Sequence, residues 1–349
     1  MTLKRLTDAA GAPWERPLRG RLDKHVVESE ALVGNPLGDP TRRPLFVYVP
    51  EGIEGSSPVA SIYVIQGFTG QVDMWLNRIA FEPSMVERVD DLFSTGGVPP
   101  AIVVFVDAWT SHGGSQYLNS AGTGRYLDYL CDEVVSYVDD AYPTHPSANH
   151  RGLSGKSSGG YGAMVVPMLR PDVFRGFATH AGDALFENCY LPEFRQAVRI
   201  LRDKHEGSYE IFWKNLEEAE VFDWERFGPP FEVYGYALCY SPDEANPGKA
   251  LLPFDLETGT LIEDVWFKWL ERDPVRMASR RADALRQMKC IYIDAGRSDE
   301  YYLDLGAQAF SRELQRLGIE HHFELFEGKH GGIQYRYPRG IEMLAQRLG

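Results

Sequence analysis

Short apolar runs recur along the chain on consecutive positions, separated by longer segments whose apolar residues fall at helical spacing. The strand candidates are FVYV from Phe46, SIYVIQ from Ser61, AIVVFVDA from Ala101, FRGFATH from Phe174, CIYIDA from Cys290 and HHFELFE from His321, several of them apolar on consecutive positions. A further short run leads into Ser157. Strands that are apolar on successive positions are those buried on both faces. From Tyr126 the set Leu127, Leu130, Cys131, Val134, Val135 and Val138 recurs every three or four residues, the stripe of an amphipathic helix. Other helices are expected after Ser157, from Leu305 and from Ile341. This alternation predicts an α/β fold, a mostly parallel central sheet with helices on both faces.

One stretch breaks the rhythm, from Glu187 to Val275. It holds 19 acidic against 9 basic residues and four of the seven tryptophans (Trp213, Trp224, Trp266 and Trp269). Residues 187–275 therefore read as an inserted cap, and residues 21–186 and 276–349 as the core around it. Residues 1–20 are basic and carry Pro and Gly, the composition of a loose lead-in. Most of the cap's aromatics are expected to form its own small core, with a few lining a pocket.

The whole chain has 349 residues and a formal charge of −14. That balance argues against a nucleic-acid partner, which needs clustered Lys and Arg, and against an anionic membrane surface. No apolar run approaches the length of a spanning helix, and the first 20 residues lack the apolar stretch of a secretion signal. The four cysteines (Cys131, Cys189, Cys239 and Cys290) are widely scattered with no CxxC. A disulfide framework is not expected, and a cytoplasmic setting is. No HExxH occurs, and neither metal nor cofactor is expected. A homo-oligomer is compatible with the sequence.

The sharpest chemical signal lies in HRGLSGKSSGGYGAM, which contains one G-x-S-x-G, Gly155 to Gly159 with Ser157 at its centre. On the order of 0.2 such matches arise by chance at this composition, so the context carries the weight. A strand-like run precedes the motif and a small-residue helical run follows it, as a nucleophile elbow requires. Such a tight strand-to-helix turn forces the serine into a strained conformation, with its Oγ exposed at a helix N-terminus. Ser154 and Ser158 are not bracketed by glycine in this way.

A serine hydroxyl needs a base. Of nine histidines, His330 sits just past the last expected strand, at the edge where open α/β sheets place their sites. His321 and His322 start that strand, at the opposite end. His180 ends another strand and is expected to line the pocket without being the base. The segment IYIDAGRSDEYYLD offers Asp294, Asp299, Glu300 and Asp304 to orient the imidazole. Asp299 lies in the loop past the strand and is the choice, with Asp294 as the fallback. Ser157, Asp299 and His330 then follow the Ser…Asp…His order of α/β-hydrolases. The oxyanion hole is expected from the backbone amides of Ser158 and Phe68, the latter in the loop Gln66-Gly67-Phe68-Thr69-Gly70 after an earlier strand.

With these motifs in hand, the chain resembles the putative-esterase family of α/β-hydrolases. That family groups esterase D (S-formylglutathione hydrolase), enterochelin esterases, feruloyl esterases and mycolyltransferases. The resemblance runs from about Arg43 to the C-terminus, apart from the cap. It rests on Gln66–Gly70, Gly155–Ala163, Gly296–Asp299, Gly328–His330 and the GGSQYLNS…TGRY run from Gly113. Gln66 stands where the family has His, and Ser158 where it has Met, which makes the pocket floor more polar. The resemblance implies an α/β-hydrolase fold and acyl transfer through an ester on Ser157, with water as the usual acceptor.

The resulting expectation is a cofactor-free serine carboxylesterase. Its small neutral, aryl-type ester substrate would be held by Gln66, Gly67, Thr69, His180, Trp213 and Trp224. An acyltransferase or thioesterase on the same residues is the alternative, and a non-catalytic binding protein of the same fold is a further one.

Overall fold

A computed structural model describes residues 17–53, 55 and 57–349. Most of the lead-in, residues 1–16, lies outside them. Of its remainder, the Arg19 and Gly20 amides both donate to Asp90 Oδ1 at 2.9 Å, so the chain is already fixed to the core there.

The sheet has eight strands. β1 (Arg21–Glu28) and β2 (Arg42–Val49) form an antiparallel edge, and β2 also pairs antiparallel with β4 (Ala101–Val106), which lies beside β3 (Ala60–Ile65). Two short hairpins follow, β5 (Trp109–Thr110) with β6 (Gly113–Gly114) and β7 (Asn119–Ser120) with β8 (Gly124–Arg125). The sheet then continues through β9 (Arg151–Ser157), β10 (Gly176–Gly182), β11 (Cys290–Gly296) and β12 (His322–Phe326). Its order is β1-β2-β4-β3-β9-β10-β11-β12, parallel from β4 onward.

β1 has no counterpart among the apolar runs. As an edge strand it is mostly exposed, so it needs no apolar run to be stable. β4 shows the opposite case. Its Ile102, Val104 and Val106 enter the core on one face, and Ala101, Val103 and Phe105 enter the core on the other.

α1 (Met85–Ser94) and, at the other end of the chain, a helix at Tyr337–Leu348 cover one face. Ser84 caps α1 and accepts from the Glu87 amide. The opposite face takes α2 (Tyr126–Asp128), which runs through a π-helical turn (Tyr129–Val134) into α3 (Val135–Ala141). It also takes α4 (Ser158–Leu169) and a helix at Leu303–Arg316.

Between β10 and β11 the chain adds helices to the molecule and no strand to the sheet. These are α5 (Phe186–Lys204), α6 (Tyr209–Glu217), α7 (Trp224–Tyr240), α8 (Glu263–Leu270), α9 (Pro274–Arg280) and α10 (Ala282–Leu285). The remaining helices are α11 (Leu303–Arg316) and α12 (Tyr337–Leu348). The buried Asp273 carboxylate accepts from the amides of Leu185 and Phe186 and from that of Val275, at 3.0–3.3 Å. One side chain thus ties the beginning of α5 to the beginning of α9. Tyr190, Phe194, Trp266 and Trp269 of the helical segment join the core of the sheet, whereas Leu201, Tyr209, Phe212 and Phe227 form a separate small cluster. Among the described residues no helix is long and apolar enough to cross a membrane.

Trp269 is fully buried, donates from Nε1 to Ser241 Oγ at 2.8 Å, and packs edge-on against Tyr190, Phe194 and Tyr240. Trp269→Ala is expected to lower the unfolding free energy by about 3–5 kcal/mol, measured by denaturant titration.

Candidate active site

β9 ends in Ser157, whose backbone lies at φ 58°, ψ −128° before α4 begins at Ser158. A non-glycine residue there is strained. The elbow glycines explain how the turn closes. A Cβ on Gly155 would fall 2.3 Å from Gly159 O, and one on Gly159 would fall 2.6 Å from Ile65 O. Any side chain at either position collides with backbone that cannot yield.

A cavity of about 440 Å³ opens over this turn, at the C-terminal ends of β3, β9, β10, β11 and β12. Ser157 and His330 both line it. Asp299 is buried behind His330, with its Oδ2 2.8 Å from His330 Nδ1. Its other oxygen accepts from the Tyr301 amide at 2.9 Å and from Leu303 N at 3.5 Å, so the carboxylate is fixed by the start of α11. The His330 amide donates to Glu300 Oε2 at 2.9 Å, which ties the two loops together, and the Tyr301 ring packs edge-on to the imidazole. Among the described residues no hydrogen bond joins Ser157 Oγ to His330; such contacts are often loose until substrate is bound.

The loop Gln66–Gly70 forms a neighbouring wall, with all five residues lining the cavity. A methyl on Gly67 would sit 3.9 Å from Ser157 Oγ, so this loop lies directly beside the serine. The Phe68 ring anchors it by packing 4.5 Å from Tyr236 of α7. As the first residue of α4, Ser158 has an amide with no acceptor within the helix.

Three expectations for the pocket need correction. His180 is fully buried and absent from the cavity lining: its Nδ1 lies 2.7 Å from Asp294 Oδ1, and its ring packs against Tyr337 of α12. It ends the right strand but points to the other face of the sheet. Asp294, the fallback acid, serves that histidine and accepts from Arg336 Nε and Tyr292 Oη, both at 2.8 Å. Burial opposes its ionisation, yet His180 and Arg336 outweigh that and hold the carboxyl below its ordinary range. Trp213 also misses the cavity, stacking instead among His112, Tyr209, Phe231 and Tyr234. Trp224 does line it.

The sequence reading missed the acidic part of the wall. Asp183, just past β10, is buried and accepts from Ser158 Oγ and Tyr190 Oη at 3.0 Å. Glu193 of α5 and Glu232 of α7 line the same cavity and are only 8% and 7% exposed. The available signal was position on a helix. Glu193 falls on the buried stripe with Cys189, Tyr190 and Ala197, and Glu232 on that with Gly228, Gly235 and Tyr236. An acid inside an apolar stripe is a stronger pointer than the cap's total charge.

These geometries meet an independent result. The family model described as "Putative esterase" matches residues 40–337. The chain belongs to that family and has the α/β-hydrolase fold. Among solved structures it resembles a ferulic acid esterase at 14% identity and TM-score 0.59, covering 95% of this chain and all of that one. It also resembles the fluorophosphonate-binding serine hydrolase FphF of Staphylococcus aureus at 17% identity and TM-score 0.58, covering 93% of this chain and 98% of that one. An S-formylglutathione hydrolase from Agrobacterium tumefaciens is similar at 15% identity and TM-score 0.57, with 96% and 98% covered. At these identities the likeness establishes the fold, while the family match places the chain among carboxylic-ester hydrolases.

Burial, and then the nearby Asp183 charge, pushes the Glu232 carboxyl up to about 8. An acid raised in the folded state above its unfolded value binds a proton that the unfolded chain has released. Stability is then lost as pH rises from the ordinary carboxylate range through 8. Glu232→Gln removes that penalty. Its melting temperature is expected to exceed the wild type's at pH 9, with the margin closing towards pH 5 in a pH-resolved melting series.

Proposed function

We propose that the protein is a serine carboxylic-ester hydrolase acting through an acyl ester on Ser157. Ser157 Oγ attacks the ester carbonyl, and His330 takes its proton and returns it to the leaving alcohol. Asp299 holds the imidazole in the tautomer whose free nitrogen can act, and stabilises the imidazolium. The Phe68 and Ser158 amides receive the developing oxyanion, with Gly67 permitting close approach. Water then releases the acid. No step calls for a cofactor.

The observation that carries this reading is that His330, held by Asp299 at 2.8 Å, lines one cavity with a serine held at φ 58°. The position of the Gln66–Gly70 loop beside Ser157 supports the oxyanion assignment. The cavity suits small esters without negative charge: four acidic side chains line it against one lysine, and Trp224, Tyr236 and Tyr301 give it an aromatic lining for an aryl-sized group. Four buried free thiols are consistent with a reducing, cytoplasmic setting.

A fluorophosphonate probe followed by intact-mass measurement tests the nucleophile. Wild type is expected to gain one label and Ser157→Ala none; an unlabelled but folded wild type would overturn the proposal. Asp299→Asn is expected to lower kcat by about a thousandfold or more while the fold is kept, measured on a small aryl ester. A loss of less than about tenfold would remove Asp299 from its role.

A further inference from the structure

Among the residues lining the cavity, Glu82, Asp183, Glu193 and Glu232 are acidic, while Lys156 alone is Lys or Arg. Three of the acids, Asp183, Glu193 and Glu232, are buried. Asp183 is satisfied by two hydroxyl donors. The two glutamates are not. No described residue donates to either carboxylate, and Glu193 Oε2 is fully buried without a partner. The charges that act on Lys156 are those of Asp299, Asp183 and Glu300.

The pair also stands at a junction. A second cavity of about 210 Å³ adjoins the first and shares Cys189, Glu193, Trp224, Glu232 and Tyr301 with it. It continues to Glu300 and Tyr302. The two glutamates therefore border both the chamber over Ser157 and a side pocket with acidic and aromatic walls.

Burying carboxyls without donors is costly. Burial and the Glu232 charge push the Glu193 carboxyl well above its ordinary range. That cost is relieved by a group that brings both positive charge and N–H donors, and the aromatic rings of Trp224 and Tyr301 line the same pocket, where a cation over a ring face is favoured. No group of three or more His, Cys, Asp or Glu among the described residues is placed to hold a metal ion, so the donor set suits an organic cation.

We propose that the side pocket at Glu193 and Glu232 is a subsite for a primary ammonium or guanidinium group, carried by the ester that Ser157 cleaves. The substrate class is then an ester with a cationic arm on its alcohol or acyl part. Its role as a substrate subsite rests on the esterase reading above; the binding of the cation does not. The arm would seat in the side pocket while the carbonyl reaches Ser157.

Two measurements on the full-length protein test this. Calorimetry compares n-butylammonium and n-butylguanidinium with the uncharged n-butanol. At least one cation is expected to bind wild type at least about tenfold more tightly than the alcohol, and the margin is expected to fall towards one in Glu193→Gln and Glu232→Gln. If those variants do not fold, the wild-type comparison decides. No margin for either cation overturns the inference. The second measurement compares kcat/KM for 4-aminobutyl acetate and pentyl acetate by acid release, with a preference of about tenfold or more for the charged ester expected. Equal rates would remove the substrate role while leaving the esterase reading intact. Tight cation binding by a protein whose Ser157 takes no fluorophosphonate would keep the cation site and overturn the esterase reading.

Discussion

The constraint on which the site depends is the conformation of one residue. At φ 58° Ser157 occupies a region that side chains avoid, and such a residue persists only where its surroundings leave it no alternative. Here β9 is clamped between β3 and β10, and the chain must reverse into α4 without an intervening loop. The close approach of Gly155 to Gly159, and of Gly159 to the end of β3, fixes the radius of that reversal. The same contact sets the Gln66–Gly70 loop against Ser157, because that loop is the direct continuation of β3. Strain at a single serine and the position of its neighbouring amides are therefore one geometric fact.

The helical segment between β10 and β11 supplies a different kind of tension. Its inner aromatics, Trp269 above all, merge with the core, and Asp273 ties its two ends together. That anchoring holds the segment against the sheet with Glu193 and Glu232 largely buried in the cavity wall, a placement that lowers stability above the ordinary carboxylate range. Proteins keep such local costs where they serve a site. A stable anchor and an unsatisfied wall in the same helices make sense if the wall awaits a ligand.

Much of this was legible in the chain. β2, β3, β4 and β11 announce themselves because burial on both faces demands runs of apolar residues, and the elbow because only glycine tolerates its contacts. β1 was invisible because an exposed edge strand is free to be polar. The histidine loop could be placed because it follows the last apolar strand. The pocket wall leaves a weaker trace, the acids Glu193 and Glu232 inside apolar stripes, because it depends on which face of α5 and α7 meets the sheet. Trp213 and Trp224 look equivalent in the sequence, yet one packs edge-on against His112 and the other borders the cavity.

The molecule holds two His–Asp pairs of nearly equal geometry, His330–Asp299 at 2.8 Å and His180–Asp294 at 2.7 Å. Each histidine lies at or just beyond the C-terminal end of a sheet strand, so residue type and rough position do not separate them. Their second nitrogens do. His180 Nε2 is buried without a partner, closed off by the backbone of α12 near Gly340. Its aspartate is shared with Arg336, which makes the pair part of a permanent ionic network. His330 lines the open cavity beside Ser157, and among the described residues its aspartate is otherwise bonded only to backbone amides. Proton transfer requires a nitrogen that a substrate can reach and a carboxylate that holds the ring in the right tautomer. Access and the partners of the acid, rather than the pair itself, separate a structural histidine from one equipped to move a proton.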